Sequence, residues 1–166
     1  MRHPNVPNFD FSTGTSIPVI SDTHGLLRPE ALQRLQDAPI ILHAGDVDRP
    51  AILEELSEIA PTIAVRGNVD RGLLGDQLPL TEVVEVGDFT IYMRHIVQDI
   101  DINPAAAGFD VVISGHSHKP ALEKRGTVTY LNPGSIGPRR FSLPISMASL
   151  TVTDTGLEPK LITLEA

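Results

Sequence analysis

The sequence predicts a single α/β domain with two layers of strands, and three observations support this prediction. Short apolar runs alternate with helical patterns over the first two thirds of the chain, and two-residue turn signals separate apolar runs in the remainder. The length of 166 residues is typical of one domain, without an internal repeat or a linker. Alternating strands and helices are characteristic of a parallel sheet with crossover helices.

The first half of the chain contains three predicted strands and two predicted helices. The strands are IPVI (17–20), IILH (40–43) and TIAV (62–65). The first helix, PEALQRL, begins at Pro29 and places Ala31, Leu32 and Leu35 on one face. The second helix, RPAILEELSEIA, begins at Pro50 and follows the same amphipathic pattern. Its predicted inward residues are Leu53, Leu56 and either Ile59 or Ala60, and its outward residues are Glu54, Glu55 and Glu58.

The second half is rich in strands and hairpin signals. Gly87-Asp88 separates LTEVVEV from FTIYMR, and Arg125-Gly126 separates ALEK from TVTYL. A third turn, TDTG, separates ISMASLTV from LEPKLITL, and DVVIS (110–114) is a further buried run. We expect these later strands to form a second, mainly antiparallel layer.

The N-terminal segment and the composition limit the cellular setting. Residues 1–16, including His3, are interpreted as a tail of undetermined order, and residues 17–166 as one domain. The start lacks the apolar core of a signal peptide, and no apolar stretch approaches the ~18 residues of a membrane span. The absence of cysteine excludes disulfides and thiolate ligands and is consistent with a reducing compartment. We therefore expect a cytoplasmic protein.

The charge balance limits the possible partners. The chain has 13 Lys and Arg against 21 Asp and Glu, a formal net charge of −8. Without a basic run or an aromatic stripe, an extended nucleic-acid surface and an anionic membrane are not expected partners. A small phosphorylated substrate remains compatible if a metal supplies local positive charge.

Polar side chains follow the predicted strands at the point where each strand ends. The candidates are Asp22, His24, Asp46, Asn68, Asp70, His95, His116 and His118. Open α/β sheets bind ligands at the carboxyl ends of their strands. His116 and His118 are two positions apart on an extended segment, so both side chains point the same way. Nearby glycines, such as Gly45 and Gly115, permit sharp turns and close approach.

This set of donors predicts a metal site. Carboxylate, amide and imidazole donors without sulfur suit manganese, iron, zinc or nickel. Seven side chains exceed the needs of one ion and suit two ions that share a bridging carboxylate, an arrangement that activates water for phosphoryl displacement. Two carboxylates against two divalent cations leave the pocket positive, which reconciles an acidic protein with an anionic substrate.

Each candidate also has a structural interpretation. A single histidine after a strand is more often structural than a ligand, and a lone Gly-Asn pair is commonly a turn. His43 lies within its strand and is expected to be a core residue or to orient a ligand. Asp70 is expected to accept hydrogen bonds from loop amides. Arg139 or Arg140 could steer a phosphate, or the two could form a solvated pair, and the sequence favours both interpretations equally.

Taken together, the motifs resemble those of a known family. SDTHG, HAGD, RGNVD, a single histidine, SGHSH and NPGSIGPRR, between Ile17 and Arg140, resemble the motif series of the calcineurin-like metallophosphoesterases, in particular the small prokaryotic phosphodiesterases. The resemblance implies a four-layer α/β/β/α sandwich of two facing mixed β-sheets flanked by helices.

The resemblance also implies a dinuclear site and a reaction. Asp22, His24 and His118 would bind one metal; Asn68, His95 and His116 would bind the other; and Asp46 would bridge them. The cofactors would be two divalent transition-metal ions, manganese first, with iron, nickel and zinc as alternatives. The implied reaction is in-line attack by a metal-bridging hydroxide on a phosphodiester, with His95 and Asn68 as candidate phosphate contacts and His95 as a candidate proton donor. The turn in NPGSIGPRR is expected to support the site.

Two positions depart from the family pattern. Val69 occupies a position that carries cysteine in many members and a proposed acid, histidine, in related protein phosphatases. Ile96 follows the single histidine where glycine is usual, and only a short segment separates His95 from His116. Valine cannot donate a proton, and the short segment predicts a shallow, open cleft.

Three functions remain as candidates. The first is a dinuclear metal phosphodiesterase, and the second is a phosphomonoesterase with the same metals. The third is a non-catalytic interaction scaffold, because a retromer subunit of eukaryotes resembles this family in fold. All seven ligand positions carry suitable side chains, which favours an enzyme. Metal binding and hydrolysis of an aryl phosphodiester distinguish these functions.

Overall fold

Two β-sheets face each other in the computed structural model, which describes residues 6–164. The five-stranded sheet has the order β11-β10-β2-β3-β4. Its strands are β2 (Ser16–Ile20), β3 (Ile41–His43), β4 (Thr62–Ala64), β10 (Ser146–Val152) and β11 (Leu157–Thr163). β2, β3 and β4 are parallel, as predicted for the first half of the chain.

The three α-helices pack with the outer face of this sheet. They are α1 (Pro29–Leu35), α2 (Pro50–Ile59) and α3 (Gly72–Gln77). Each contributes to one apolar cluster that also contains Ile20 and Ile41 of the sheet. The predicted starts at Pro29 and Pro50 are confirmed, because proline occupies the first turn of both helices.

The buried face of α2 differs from the prediction by one position. Leu56 and Ala60 are buried as predicted. Ile52 takes the buried position that was expected of Leu53, and Leu53 is only partly buried. Because residues four apart stack on one helix face, a stripe at 52, 56 and 60 is the natural continuation of the buried Leu56.

The second sheet has six strands in the order β1-β5-β6-β7-β9-β8. Its strands are β1 (Asn8–Phe9), β5 (Thr81–Val86), β6 (Phe89–Arg94), β7 (Val111–Ile113), β8 (Ala121–Arg125) and β9 (Val128–Asn132). The predicted hairpins at Gly87 and Gly126 are confirmed. Both glycines have φ close to +60°, a conformation that is strained for most other residues.

The predicted composition of the second layer is wrong in two respects. The β10–β11 hairpin belongs to the five-stranded sheet, where β10 pairs with β2 and places Leu150 opposite Ile17. The six-stranded sheet is mixed: β1–β5, β6–β7 and β7–β9 are parallel, and only β5–β6 and β8–β9 are antiparallel. A hairpin signal identifies two neighbouring strands but not the sheet that they join.

An apolar core between the sheets fixes their relative position. Ile17, Val19 and Leu42 of one sheet belong to the same cluster as Ile91 and Ile113 of the other, and all are at most 1% exposed. Each large aliphatic side chain buried in this way stabilises the fold by ~1.5–3 kcal/mol. The predicted fold class, an α/β fold of two facing mixed sheets, is confirmed.

The outer face of the six-stranded sheet has a different cover. A small cluster contains Tyr92, Val112 and Val128, and Phe109 stacks on Tyr92 with 5.1 Å between ring centroids. The segment from the 3₁₀ turn Val97–Asp99 to Phe109 supplies this cover. The fourth layer is therefore a short turn and a loop, and each α-helix in residues 6–164 packs on the other sheet.

The segment predicted to be an N-terminal tail contributes an edge strand. Asn8 and Phe9 pair with Glu85 and Val86, and Asn8 donates a side-chain hydrogen bond of 2.7 Å to Glu85. His3 lies outside the described residues. Within residues 6–164, no helix has the length and apolar character needed to cross a bilayer.

Candidate functional site

Loops from both sheets meet at the carboxyl ends of the strands. Asp22 and His24 follow β2, Asp46 follows β3, Asn68 follows β4, His95 follows β6, and His116 and His118 follow β7. The structure brings all seven into one cleft, although they span the chain from residue 22 to residue 118. Six of them form two groups, one of Asp22, His24 and His118 and one of Asp46, His95 and His116.

The first group has three donor atoms in close contact. The Nε2 atoms of His24 and His118 lie 3.1 Å apart. Oδ1 of Asp22 lies 3.3 Å from Nε2 of His118 and 3.6 Å from Nε2 of His24. Two imidazole nitrogens at this separation repel each other unless a proton or a cation lies between them.

Asp46 connects the second group to the first. Its Oδ2 lies 3.1 Å from Nε2 of His95 and 3.5 Å from Nε2 of His24. Nδ1 of His116 lies 3.0 Å from Oδ1 of Asn68, which places Asn68 beside the second group. Asp46 therefore faces donor atoms of both groups, and Oδ1 of Asp22 lies somewhat farther, 3.8 Å, from Nε2 of His95.

The backbone of the site adopts an uncommon conformation. Five of the seven residues have positive φ: Asp22 (56°), His24 (44°), Asp46 (59°), His116 (73°) and His118 (61°). Each such residue costs ~1–3 kcal/mol, although Asp and His tolerate it better than most. The sharp turns direct consecutive side chains into the cleft, and the packed sheets stabilise them.

Two glycines allow the loops to approach each other. A Cβ on Gly67 would overlap the carboxylate and the backbone nitrogen of Asp46. A Cβ on Gly115 would overlap the hydroxyl of Ser21 and lie 2.7 Å from Oδ2 of Asp22. Glycine is therefore required where the loops after β4 and β7 pass the two aspartates.

Hydrogen bonds orient the two aspartates. Oδ2 of Asp22 accepts bonds from the Ser21 hydroxyl (2.6 Å) and the His116 amide (3.1 Å). Oδ1 of Asp46 accepts a bond of 3.0 Å from the Val69 amide. In each carboxylate, one oxygen is held by the protein and the other faces the histidines.

Asp70 holds the loop that carries Asp46. Its carboxylate accepts hydrogen bonds from four backbone amides, those of Asp46 (3.0 Å), Val47 (3.3 Å), Asp48 (2.8 Å) and Gly67 (2.8 Å). The prediction that Asp70 accepts hydrogen bonds from loop amides is confirmed.

His43 and His95 have defined proton positions. Nδ1 of His43 accepts a bond from the Gly45 amide (3.1 Å), so its proton is on Nε2, 3.0 Å from the Thr23 hydroxyl. His43 is fully buried and orients the loops, as predicted. Nδ1 of His95 donates to the carbonyl of Ala44 (2.7 Å), which directs its Nε2 into the cleft.

Burial and charge shift the acid–base properties of the site. Burial raises the pKa of Asp22, but the close imidazoles of His118 and His24 outweigh burial and hold this pKa well below its usual range. The pKa of Asp46 is also lowered, since its close contact with His95 outweighs burial. Burial lowers the pKa of His95, but the nearby carboxylates of Asp46 and Asp22 outweigh burial, so that the pKa of His95 is raised overall. Both carboxylates are therefore ionised at neutral pH.

The residues fit divalent metal ions. Oδ1 of Asp22, Nε2 of His95 and Nδ1 of His118 are buried without a hydrogen-bond partner. Unsatisfied polar atoms are costly in a protein interior and require an explanation. Imidazole and carboxylate donors without sulfur are suited to manganese, iron, nickel or zinc, and bound cations would satisfy Oδ1 of Asp22 and Nε2 of His95.

A family comparison agrees with this chemistry. Residues 16–155 match the model of the calcineurin-like phosphoesterase superfamily domain. The chain belongs to the calcineurin-like phosphoesterase superfamily. Members of this superfamily are phosphoester hydrolases that use divalent metals, and the resemblance seen in the sequence is confirmed.

Individual relatives carry related names. The chain is 36% identical over 158 residues to a probable metallophosphoesterase of Methanothermobacter thermautotrophicus, covering 88% of this chain and 91% of the relative. It is 32% identical over 109 residues to phosphodiesterase YfcE of Escherichia coli K12, covering 60% of this chain and 58% of the relative. The fold is similar to wild-type Vps29 of Entamoeba histolytica complexed with Zn²⁺, with TM-score 0.66, 24% identity, and coverage of 89% and 98%.

The NPGSIG segment of this superfamily member supports the site, as predicted. The Asn132 side chain donates to the carbonyl of Gly115 (3.0 Å), and the Ser135 hydroxyl donates to the carbonyl of Asp22 (2.8 Å). Arg139 is exposed and donates to the carbonyl of Leu143 (3.2 Å). This contact places its guanidinium on its own loop, in agreement with a solvated residue.

Sequence reasoning missed residues that orient the site. Ser21 and Thr23, within the SDTHG motif, bond to Asp22 and to the loop of Asp46. Their positions directly before and after Asp22 in the sequence were the available signal. A cavity of about 580 Å³ lies by α1 on the outer face of the five-stranded sheet, and none of the seven residues lines it. The donor geometry, and not cavity size, identifies the site.

Proposed function

We propose that the protein is a phosphodiesterase whose activity requires two divalent metal ions. The observation that carries this proposal is the position of Asp46, whose Oδ2 lies within 3.5 Å of a histidine from each donor group. A carboxylate shared between two groups is the arrangement expected of a two-metal site.

The proposal assigns a role to each donor residue. Asp22, His24 and His118 would hold one ion, Asn68, His95 and His116 would hold the other, and Asp46 would be shared between them. When bound, the two ions supply Lewis acidity that activates water for in-line attack and neutralises the phosphate oxygens. Ser21, Val69 and the carbonyl of Ala44 orient the donors through the hydrogen bonds described above. Because these orienting groups belong to the protein, the positions of the donor atoms do not depend on a bound substrate.

The structure supports a ligand role for His95 over the alternative of a proton donor. Nδ1 of His95 already donates to the carbonyl of Ala44, and Nε2 faces Asp46. The side chain is 2% exposed, so a leaving group has little access to it. We therefore infer that no protein side chain near Asn68 and Val69 protonates the leaving group, and that aryl leaving groups are preferred.

Two alternatives are tested beside the proposal. A phosphomonoesterase would use the same donor residues. A non-catalytic scaffold is the second alternative, because the fold is similar to that of Vps29. This similarity concerns the fold alone, and the Vps29 structure is itself a complex with Zn²⁺. Metal binding by itself therefore does not separate enzyme from scaffold. The complete set of seven donor residues favours catalysis, since a scaffold does not need an open two-metal site.

The deciding experiment measures metal content and hydrolysis together. Protein loaded with Mn²⁺, Fe²⁺, Ni²⁺ or Zn²⁺ is assayed with bis(4-nitrophenyl) phosphate and with 4-nitrophenyl phosphate. We expect about two ions per chain, activity that chelation abolishes, and a higher kcat/KM for the diester. A higher value for the monoester would favour a phosphomonoesterase. Stoichiometric metal without hydrolysis of either ester would favour the scaffold. A protein that binds no metal would contradict the metal-ligand roles assigned to the seven donor residues.

A further inference from the structure

The cleft contains a cavity with two arginines beside the proposed metal ligands. The 3₁₀ turn after His95 separates two cavities of about 200 Å³ each. One of them is lined by Asn68, His95, Arg66, Arg94 and Asp99, among others. At ~30 Å³ per water molecule, it has room for a small anionic group. Because Asn68 and His95 are in its wall, a group bound there lies next to the reacting phosphate.

The two guanidinium groups have donors that the protein does not use. Nε of Arg66 donates to the carbonyl of Leu78 (3.1 Å), which fixes the side chain and leaves its terminal nitrogens free of other hydrogen bonds within residues 6–164. Arg94 lies 4.0 Å from Asp101, whose side chain is 83% exposed. Ion pairs this exposed contribute little. Both arginines can therefore donate to a ligand, with a geometry that suits phosphate or carboxylate.

The charge of this cavity contrasts with that of the whole chain. The chain has a formal net charge of −8. The cavity has two arginines and one carboxylate, that of Asp99, in its wall. In the described part of the chain, no ion pair within 4.0 Å joins Asp99 to either arginine. A cationic wall beside a metal site in an acidic protein favours an anionic ligand at that point.

We propose that this cavity binds a second anionic group on the substrate. The substrate class is then a phosphodiester in which one ester arm ends in a further phosphate or a similar anion, and this assignment rests on the proposed function. The reacting phosphate lies over the metal ligands while the second anion contacts Arg94 and Arg66. The alternative is that the arginines cover the apolar wall of Leu80 and Ile96 with their aliphatic stems.

The test compares two diesters that share a leaving group. Both carry 4-nitrophenyl; the other arm is 2-phosphonoethyl in one and the uncharged butyl in the other. We expect the wild type to prefer the phosphonate arm by about 10-fold or more in kcat/KM, the range of a charge-assisted hydrogen bond. Arg94→Gln should remove most of this preference, mainly through KM, and Arg94→Lys should retain part of it. Arg94 is chosen because Arg66 also holds the carbonyl of Leu78.

Arg34→Gln is the matched control. Arg34 is an exposed residue of α1, outside the cavity, and its replacement changes the net charge by the same amount. It should leave the preference intact if the effect of Arg94 is a local contact. Thermal unfolding of each variant verifies that it is folded.

Three results would overturn the second-anion site. They are no preference in the wild type, an unchanged preference in both Arg94 variants, and an equal loss of rate on both diesters, which would place Arg94 on the reacting phosphate. If the metal-loaded protein hydrolyses neither diester, the proposed function fails. Calorimetric binding of the phosphonate-armed diester then tests whether the cavity binds the second anionic group. Equal affinity of wild type and Arg94→Gln would again overturn the proposal.

Discussion

Asp70→Asn should destabilise the protein without abolishing the proposed activity of the folded protein. The carboxylate accepts four backbone amides, three at Oδ2 and one, from Asp48, at Oδ1. With the amide oxygen of asparagine at the Oδ2 position, the Asp48 amide faces an NH₂ group and loses its acceptor. The lost charge-assisted bond costs ~1.5–3 kcal/mol, and the three others weaken because their acceptor becomes neutral. The sum is about 2–5 kcal/mol.

A loss of this size is measurable by thermal unfolding. For a domain of this length, each kcal/mol lowers Tm by ~2–4 °C, so Tm should fall by about 4–20 °C. Activity on bis(4-nitrophenyl) phosphate, measured well below both Tm values, should fall by no more than the ~10–100-fold of an outer-shell partner, because Asp70 acts through the loop of Asp46. Asp76→Asn, an exposed residue of α3, is the matched control and should change the free energy of unfolding by less than ~0.5 kcal/mol.

The opposite pattern would refute this reasoning. Full inactivation of Asp70→Asn with an unchanged Tm and lost metal would identify Asp70 as a ligand. An unchanged Tm with full activity would show that the four amide contacts contribute nothing measurable.

Three further predictions concern the site. Asp46→Asn should lower kcat by more than the ~10–100-fold typical of an outer-shell partner, because a neutral amide bridges two cations poorly; activity within 10-fold of wild type would exclude a bridging role. Burial lowers the pKa of His43 to about 4 from 6.5, so the unfolded chain binds the proton first, and stability should decline by roughly 3 kcal/mol as pH falls from 6.5 to 4. In metal-free protein, the difference in the free energy of unfolding between wild type and His43→Gln should become smaller as pH falls from 6.5 to 4. A constant difference would contradict the lowered pKa of His43. Because Val69 is no acid, log(kcat/KM) should fall steeply with leaving-group pKa, and a flat dependence with chemistry rate-limiting would reveal an acid that is worth ~10²–10⁴-fold.

The sequence predicted the locations of the donors because strand ends are visible as interrupted apolar runs. Asp22, Asp46 and His95 each follow such a run, and the parallel order of β2 to β4 follows from the alternation of strands and helices. The left-handed backbone at Asp22 and Asp46 leaves little trace in sequence beyond nearby glycines. The assignment of the donors to two metal ions came from the family resemblance. Asp46 and His95 are far apart in the sequence and close only in the folded structure, so no local sequence pattern indicates that they are neighbours.

Other elements escaped prediction for physical reasons. α3 (Gly72–Gln77) contains two glycines, which have low helix propensity, and depends on burial of Leu74. β1 is only two residues long, and its pairing with β5 is set by tertiary contacts. The cationic cavity joins Arg66 and Arg94 across two sheets, which no local pattern indicates.

The sheet order has a consequence for the newly made chain. β2 pairs with β3 on one side and with β10 on the other, so Ile17 can pair with Leu150 only after β10 has been synthesised. Contacts this distant in sequence slow folding, because loop closure precedes any gain in energy. Until β10 leaves the ribosome, β2 is an open sheet edge and a site for wrong pairing. We therefore expect the loop of Asp22, which also depends on the hydroxyl of Ser135, to reach its folded geometry only after β10 has been synthesised.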